Sequence, residues 1–303
     1  MTKHIFWIAS YPKSGNTLLR SMLTALFFSD KGLFNFNLLK KIVSFEEISR
    51  LNKCYNTRAE NINSKNWKEK NILIFENLKE IQNKINLGFT EDFAFFKTHF
   101  SGSNFDGQSF FIDNYLRGLI YVYRDPRDVC ISWARHADIS ISKSLDFMLD
   151  NSASIYWTGQ NKFNNYKTDI PVYLSTWQKH VKSWIDLQFN CPFLFISYED
   201  LVYNKHNTLI KLIDFFENNY KIKIINKNLK IKNIIRSTSF NNLQNLETKH
   251  GFKESINNSR FFAVGKKEQW KTKLDQNQID LLEHNFGSTM KELKYKLNDE
   301  FNC

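Results

Sequence analysis

The stretch from Ile5 to Leu26 constrains this chain most: an apolar run, IFWIAS, then the turn YPKSGNT, then LLRSMLTAL. Ile5–Ala9 has the composition of a short strand buried on both faces. From Thr17 onward, Leu19, Met22, Leu23 and Leu26 recur at i, i+3, i+4 and i+7, one face of a helix. Pro12, Lys13, Ser14, Gly15, Asn16 and Thr17 make the small polar turn between them. A strand, a tight glycine-containing turn and a helix start form an anion site, because free N–H groups and the positive end of the helix dipole face the turn. Lys13 adds a mobile charge and Thr17 a hydroxyl. The blander reading is a plain strand–turn–helix with a surface lysine.

The phosphate loop G-x-x-x-x-G-K-[ST] is not matched, since Lys13 precedes Gly15 and would reach a bound group from the other end of the loop. The rest of the chain narrows the reading. Its 303 residues can bury a large core, and no linker, repeat or charged tail divides them, so one domain over 1–303 is expected. A net charge of +11 suits an anionic ligand, although most lysines of such a chain are solvated surface. Cys54, Cys130, Cys191 and Cys303 are far apart, with no CxxC and no histidine at metal spacing, so a reduced cytoplasmic protein without a metal is expected. No apolar run approaches the roughly 20 residues of a membrane span.

Three further apolar runs end in polar residues. Phe93–Phe96 leads to Lys97, Thr98 and His99; a histidine at a strand's carboxyl end is a candidate base, or merely a structural one. Leu119–Tyr123 leads to Arg124, Asp125 and Pro126, an N-cap followed by N1, and a helix running to Ala137 with Ser132 in its early turns. Arg124 can grip phosphate, or simply pair with Asp128. Phe193–Ile196 leads to Ser197, Tyr198, Glu199 and Asp200. Asn61–Lys84 has helical character through Ile72, Phe75, Leu78 and Ile81 or Ile85. Thr176–Trp184 is amphipathic, with Trp177, Val181 and Trp184 on one face and His180 structural. Ile279, Leu282, Phe286 and Met290 line a closing helix.

Taken together, Y-P-K-S-G-x-T, K-T-H after a strand, and Y-V-x-R-[ND]-P-[RK]-D-V-x-x-S resemble the sulfotransferases that use 3′-phosphoadenosine-5′-phosphosulfate (PAPS) and release adenosine 3′,5′-bisphosphate (PAP). The resemblance spans roughly residues 5–271. It implies a parallel β-sheet flanked by helices on both faces, with a P-loop-like phosphosulfate loop after the first strand; alternating strands and helices imply the same α/β class. It implies catalytic roles for His99 (the base), Lys13, Lys97 and Ser132. Lys13, Ser14, Gly15, Asn16, Thr17 and Leu18 would cradle the 5′-phosphosulfate, and Arg124 and Ser132 the 3′-phosphate, with Ser132 also restraining Lys13. Tyr198, Thr238, Ser239 and Phe240 would meet the nucleotide, with Gly265 and Lys266 from a late segment.

Two departures stand out. Leu18 replaces the family's tryptophan that stacks on adenine, leaving more of that contact to Phe240. The late R-K-G-x-x-G-[DQ]-W-K segment reads here Ala263 to Lys271 (AVGKKEQWK), so its leading arginine and lysine are missing. Lys266, Lys267 or Arg260 remain as sources of charge. The expectation is sulfuryl transfer to a hydroxyl, less readily an amine, of a small-molecule or sugar acceptor, without nucleic acid. Loops within 29–92, 100–118 and 138–175 would form the acceptor pocket. A P-loop kinase would share the strand–loop–helix logic but needs G-K-[ST] and a Mg²⁺-binding aspartate. A non-catalytic nucleotide or nucleic-acid binder would suit the charge but has no use for Lys13 with His99.

Overall fold

Ile5–Ser10 (β1) is buried along its whole length, which explains why it reads as an unbroken apolar run rather than an alternation. Its odd residues, Ile5, Trp7 and Ala9, pack into one apolar layer and its even residues, Phe6 and Ile8, into another. A strand covered on both faces belongs in the middle of a sheet. The computed structural model describes residues 5–47, 93–105, 108–110, 113–158, 167–186, 191–255 and 260–301, with single positions between 66 and 83. In it, β1 pairs in parallel with Ala94–Thr98 (β3) on one side and Leu116–Tyr123 (β4) on the other. Val43–Ser44 (β2) extends one edge and Phe193–Ser197 (β5) the other, giving the order β2-β3-β1-β4-β5, all parallel.

Helices cover both faces, as expected. Asn16–Phe28 (α1) packs Leu19, Met22, Leu23 and Leu26 into the layer of Phe6 and Ile8. Pro126–Ala137 (α2), Ile141–Leu149 (α3) and Trp177–Ile185 (α4) cover the other face with Val129, Leu145, Met148, Trp177, Val181 and Trp184. Asp125 and Thr176 cap α2 and α4 through their side chains, as the N-cap spacing requires. Tyr198–Tyr203 (α5) follows β5 directly. Lys205–Tyr220 (α6), Lys227–Ser237 (α7) and Phe240–His250 (α8) lie with α1. Trp270–Lys273 (α9) is a single turn, and Gln276–Glu292 (α10) closes the opposite layer with Ile279, Leu282, Phe286 and Met290. No helix among the described residues is long and apolar enough to cross a membrane.

Of the helix expected over Asn61–Lys84, Ile72, Phe75, Leu78 and Ile81 are helical, and the last three are fully buried. Most of the remainder lies outside the described residues. The sequence offered no signal for the two-residue β2, nor for the antiparallel ribbon Ser154–Thr158 and Lys167–Tyr173.

Because the strands are parallel, their carboxyl ends share one edge. Ala9 is level with Thr98, Ser10 with Val122, and Tyr123 with Ser197. The chain runs from β1 to one side of the sheet and then crosses to the other, so β1 is the switch point where an open sheet leaves a crevice. Lys13, His99, Arg124 and Tyr198 all stand just beyond these ends.

Candidate active site

The loop after β1 is held in a conformation that costs energy. Lys13 takes a left-handed φ of 65°, unusual for a residue with a side chain, and Gly15 takes φ 104° at the N-cap of α1. A Cβ on Gly15 would come within 2.7 Å of the Tyr198 ring, so only glycine fits where α5 closes against the loop. Asn16 ties the loop back to β1 by donating to the Ile8 carbonyl (3.3 Å) and to Ser10 Oγ (3.2 Å). Ser14 is fully buried, yet its Oγ has no hydrogen-bond partner among the described residues.

The Lys13 ammonium lies 4.0 Å from the centre of the Phe261 ring. Burial brings its pKa from 10.5 down to about 7; nearby Glu254 opposes that shift, while Arg135 and Arg124 add to it. Ser132 makes no hydrogen bond to Lys13, whose contact here is with the Phe261 ring.

On the neighbouring strand end, His99 Nδ1 lies 2.7 Å from the Ser10 carbonyl. A carbonyl only accepts, so Nδ1 carries the proton and the lone pair sits on Nε2, which has no partner among the described residues. The His99 backbone is pinned at both ends: its N–H donates to Glu46 (2.6 Å) and its carbonyl accepts from His180 Nε2 (3.0 Å). His180 in turn accepts from the Tyr121 hydroxyl (2.9 Å), so it is structural, as expected, but its work is to position His99. Burial first, then the Lys97 charge, pushes the His99 imidazole well below its ordinary range and keeps it neutral. Lys97 stands 3.7 Å from Glu46 and 3.4 Å from Ser44 Oγ, and its charge reaches both His99 and Glu254.

Arg124 joins three segments. It donates to the carbonyls of Lys13 and Lys266 (3.3 Å each), lies 4.2 Å above the Tyr198 ring, and stands 3.6 Å from Asp128. Asp128 is already occupied by the backbone N–H groups of Glu268 (2.8 Å) and Trp270 (3.1 Å). The ion pair considered for Arg124 is therefore loose, and its buried Nε has no partner among the described residues. Ser132, 5% exposed, faces inward from α2. Thr238 donates to the Ile234 carbonyl and Ser239 caps α8, so their side chains build the turn that presents Phe240. Phe240 packs on Gly265, where a Cβ would meet it at 2.3 Å, and Leu18 is half-buried in the same apolar layer as Phe240 and Phe261.

The sulfotransferase domain model matches residues 3–294 of this chain. The chain belongs to the sulfotransferase family. Its amine sulfotransferase relative from Oryctolagus cuniculus is 25% identical over 195 residues, 61% of this chain and 59% of that protein. The luciferin sulfotransferase of Photinus pyralis is 23% identical over 286 residues, covering 90% of this chain and 68% of its own. The alignment to the first of these thus takes in less than two thirds of that protein. Among solved structures, mouse sulfotransferase SULT7A1 complexed with PAP superposes with a TM-score of 0.58 at 19% identity, over 97% of this chain and 89% of that one. Retinol dehydratase in complex with androsterone and PAP gives 0.60 at 17% identity, over 97% and 83%. At such identities these two likenesses bear on the fold.

This chain carries one group beside its loop that the sequence did not reveal. Glu254 accepts from Thr17 Oγ1 and from Arg20 Nη1, both at 2.7 Å. The Thr17 hydroxyl is therefore engaged by a carboxylate rather than open. Burial opposes ionisation of Glu254, but Arg20, Lys97 and the two hydrogen bonds outweigh it and hold its pKa down to about 2 from 4.5. A carboxylate depressed by folding stabilises above its unfolded pKa and loses that contribution as pH falls through the folded one. Between about pH 4.5 and pH 2 the fold should lose at most roughly 3 kcal/mol through this group. Glu254→Gln should flatten that acid limb in thermal denaturation followed against pH. An unchanged limb in the variant would assign the acid sensitivity to other carboxylates.

Proposed function

We propose that this sulfotransferase moves the sulfuryl group of PAPS to a hydroxyl of a small-molecule or carbohydrate acceptor. The observation that carries the reading is the pairing, at adjacent strand ends, of Lys13 with a neutral His99 whose only open nitrogen is Nε2. Simple nucleotide binding has no use for such a base. The residues also fit the nucleotide: Ser14 Oγ and Arg124 Nε are buried on the same loop edge and unpartnered among the described residues, as groups awaiting anionic oxygens would be.

When bound, PAPS supplies an activated sulfuryl group with PAP as its leaving group. The residues' tasks then follow from their chemistry. His99 Nε2 takes the proton from the acceptor hydroxyl, and its Nδ1–H bond to Ser10 keeps the ring in that tautomer. Lys13 neutralises charge on the departing phosphate, the role cations play in phosphoryl transfer. Ser14 to Leu18 hold the 5′-phosphosulfate through the start of α1, and Arg124, Ser132, Tyr198 and Phe240 hold the rest of the nucleotide. An acceptor hydroxyl needs a base to lose its proton, whereas a neutral amine attacks before losing one, so His99 favours the hydroxyl. An amine remains the second acceptor chemistry, in keeping with the name of the Oryctolagus cuniculus relative.

Thermal shifts with PAP, ATP–Mg²⁺ and a short oligonucleotide test the reading. PAP should stabilise the chain and the other two should not. Stabilisation by ATP–Mg²⁺ alone would favour a kinase, and by the oligonucleotide alone a nucleic-acid binder.

A further inference from the structure

Arg135 is an exposed arginine with no hydrogen-bond or ion-pair partner among the described residues. It lies on α2 three residues beyond Ser132, a spacing that places both side chains on one face of the helix. The helix starts directly after Arg124 and Asp125, so this face runs outward from the strand-end crevice. Its last turn borders the loop: the ring of His136 meets the ring of Phe261 edge-on at 6.0 Å, and Phe261 carries the Lys13 ammonium at 4.0 Å. Yet among the described residues the Arg135 guanidinium makes no hydrogen bond and no ion pair.

Two neighbouring carboxylates already hold other partners. Asp128 is taken up by Arg124 and two backbone N–H groups, and Glu254 by Thr17 and Arg20. Lys13, Arg124 and Arg135 lie close enough to one another to interact, with Glu254 and Glu247 beside Lys13. Arg124 repels Arg135 and lowers its pKa in addition to the effect of burial, and both arginines lower that of Lys13. Mutual repulsion of this kind is relieved by an anion with charge at more than one point. Ala263 and Val264 bring no charge here, and Lys266 contributes its backbone carbonyl to Arg124 while its side chain is exposed.

We propose that Arg135 is a binding residue for the 3′-phosphate of the nucleotide, acting with Arg124 and Ser132 from the Ser132 face of α2. The proposal rests on the PAPS reading above. Lys13 serves the 5′ end, while Arg135 shares its helix face with Ser132 and its surroundings with Arg124 and Tyr198.

Calorimetry of PAP and of adenosine 5′-phosphate on wild type, Arg135→Gln and Arg135→Lys tests it, with thermal denaturation confirming that each variant is folded. Wild type should prefer PAP. Arg135→Gln should lose about 10-fold or more of that preference and leave adenosine 5′-phosphate unchanged within about two-fold; Arg135→Lys should keep part of it. A glutamine variant with the full preference, or one that loses both nucleotides equally, overturns the proposal alone. A wild type that binds both nucleotides equally removes the PAPS reading and the proposal with it.

Discussion

His99→Ala is expected to lower kcat by roughly 10²- to 10⁴-fold, the usual worth of a positioned general base. The expectation comes from how completely the residue is fixed. Glu46 holds its N–H, His180 its carbonyl and Ser10 its Nδ1, so the imidazole has one orientation, one tautomer and one open lone pair. Alanine keeps the two backbone bonds and removes only the ring. PAP affinity should change little, because the ring faces the acceptor side in this account. The environment also sets the pH profile. A histidine held well below 6.5 by burial stays neutral, so the acid limb of the rate should lie below the ordinary histidine range. Near-normal turnover in the variant would remove His99 from the mechanism.

Lys13→Ala should damage both binding and turnover. One charge-assisted hydrogen bond is worth about 1.5–3 kcal/mol, so PAP affinity should fall by roughly 10- to 150-fold. Turnover should fall further, since charge on the departing phosphate grows during transfer. Lys13→Arg should not restore either. The position has a left-handed φ beside the tight Gly15 turn, where a planar guanidinium is bulkier than the ammonium it would replace. The sign of the pH effect follows from burial. With a ligand-free pKa of about 7, Lys13 is protonated below pH 7 and progressively neutral above it. A bound anion favours the protonated form, so affinity should weaken as pH rises above about 7, with proton uptake on binding at pH 8 that Lys13→Ala abolishes. An arginine variant with full activity would reduce Lys13 to a diffuse positive charge.

The strand-end residues of this site were legible in the sequence for a physical reason. A strand buried on both faces leaves a continuous apolar run, and in a parallel sheet the residue after each run stands at the same edge. Lys13 to Thr17, His99, Arg124 and Tyr198 each follow such a run, although the role of Tyr198 comes from the family resemblance. Val43–Ser44 is too short to leave a pattern, and the ribbon ending at Tyr173 has none. The partners that tune the site could not be read, because closure of the fold brings them in from far along the chain. Glu254 reaches Thr17 across 237 residues, and Glu46 reaches His99 across 53. Phe261, which takes up Lys13, lies just before the late segment that begins at Ala263 and carried no motif of its own. Arg135 did carry a signal, its spacing from Ser132, but a surface arginine on a helix is common and only its lack of a partner singles it out.

Transfer of a labelled sulfuryl group from PAPS to a mixed panel of phenols, alcohols, sugars and amines tests the central claim most directly. Wild type, Lys13→Ala and His99→Ala should be run side by side. Label should appear in a hydroxyl acceptor in step with PAP release, and both substitutions should suppress it by roughly 10²-fold or more. PAP release that proceeds equally in all three proteins, or a wild type that binds PAP and moves no label beyond the level of the two variants, would contradict the account.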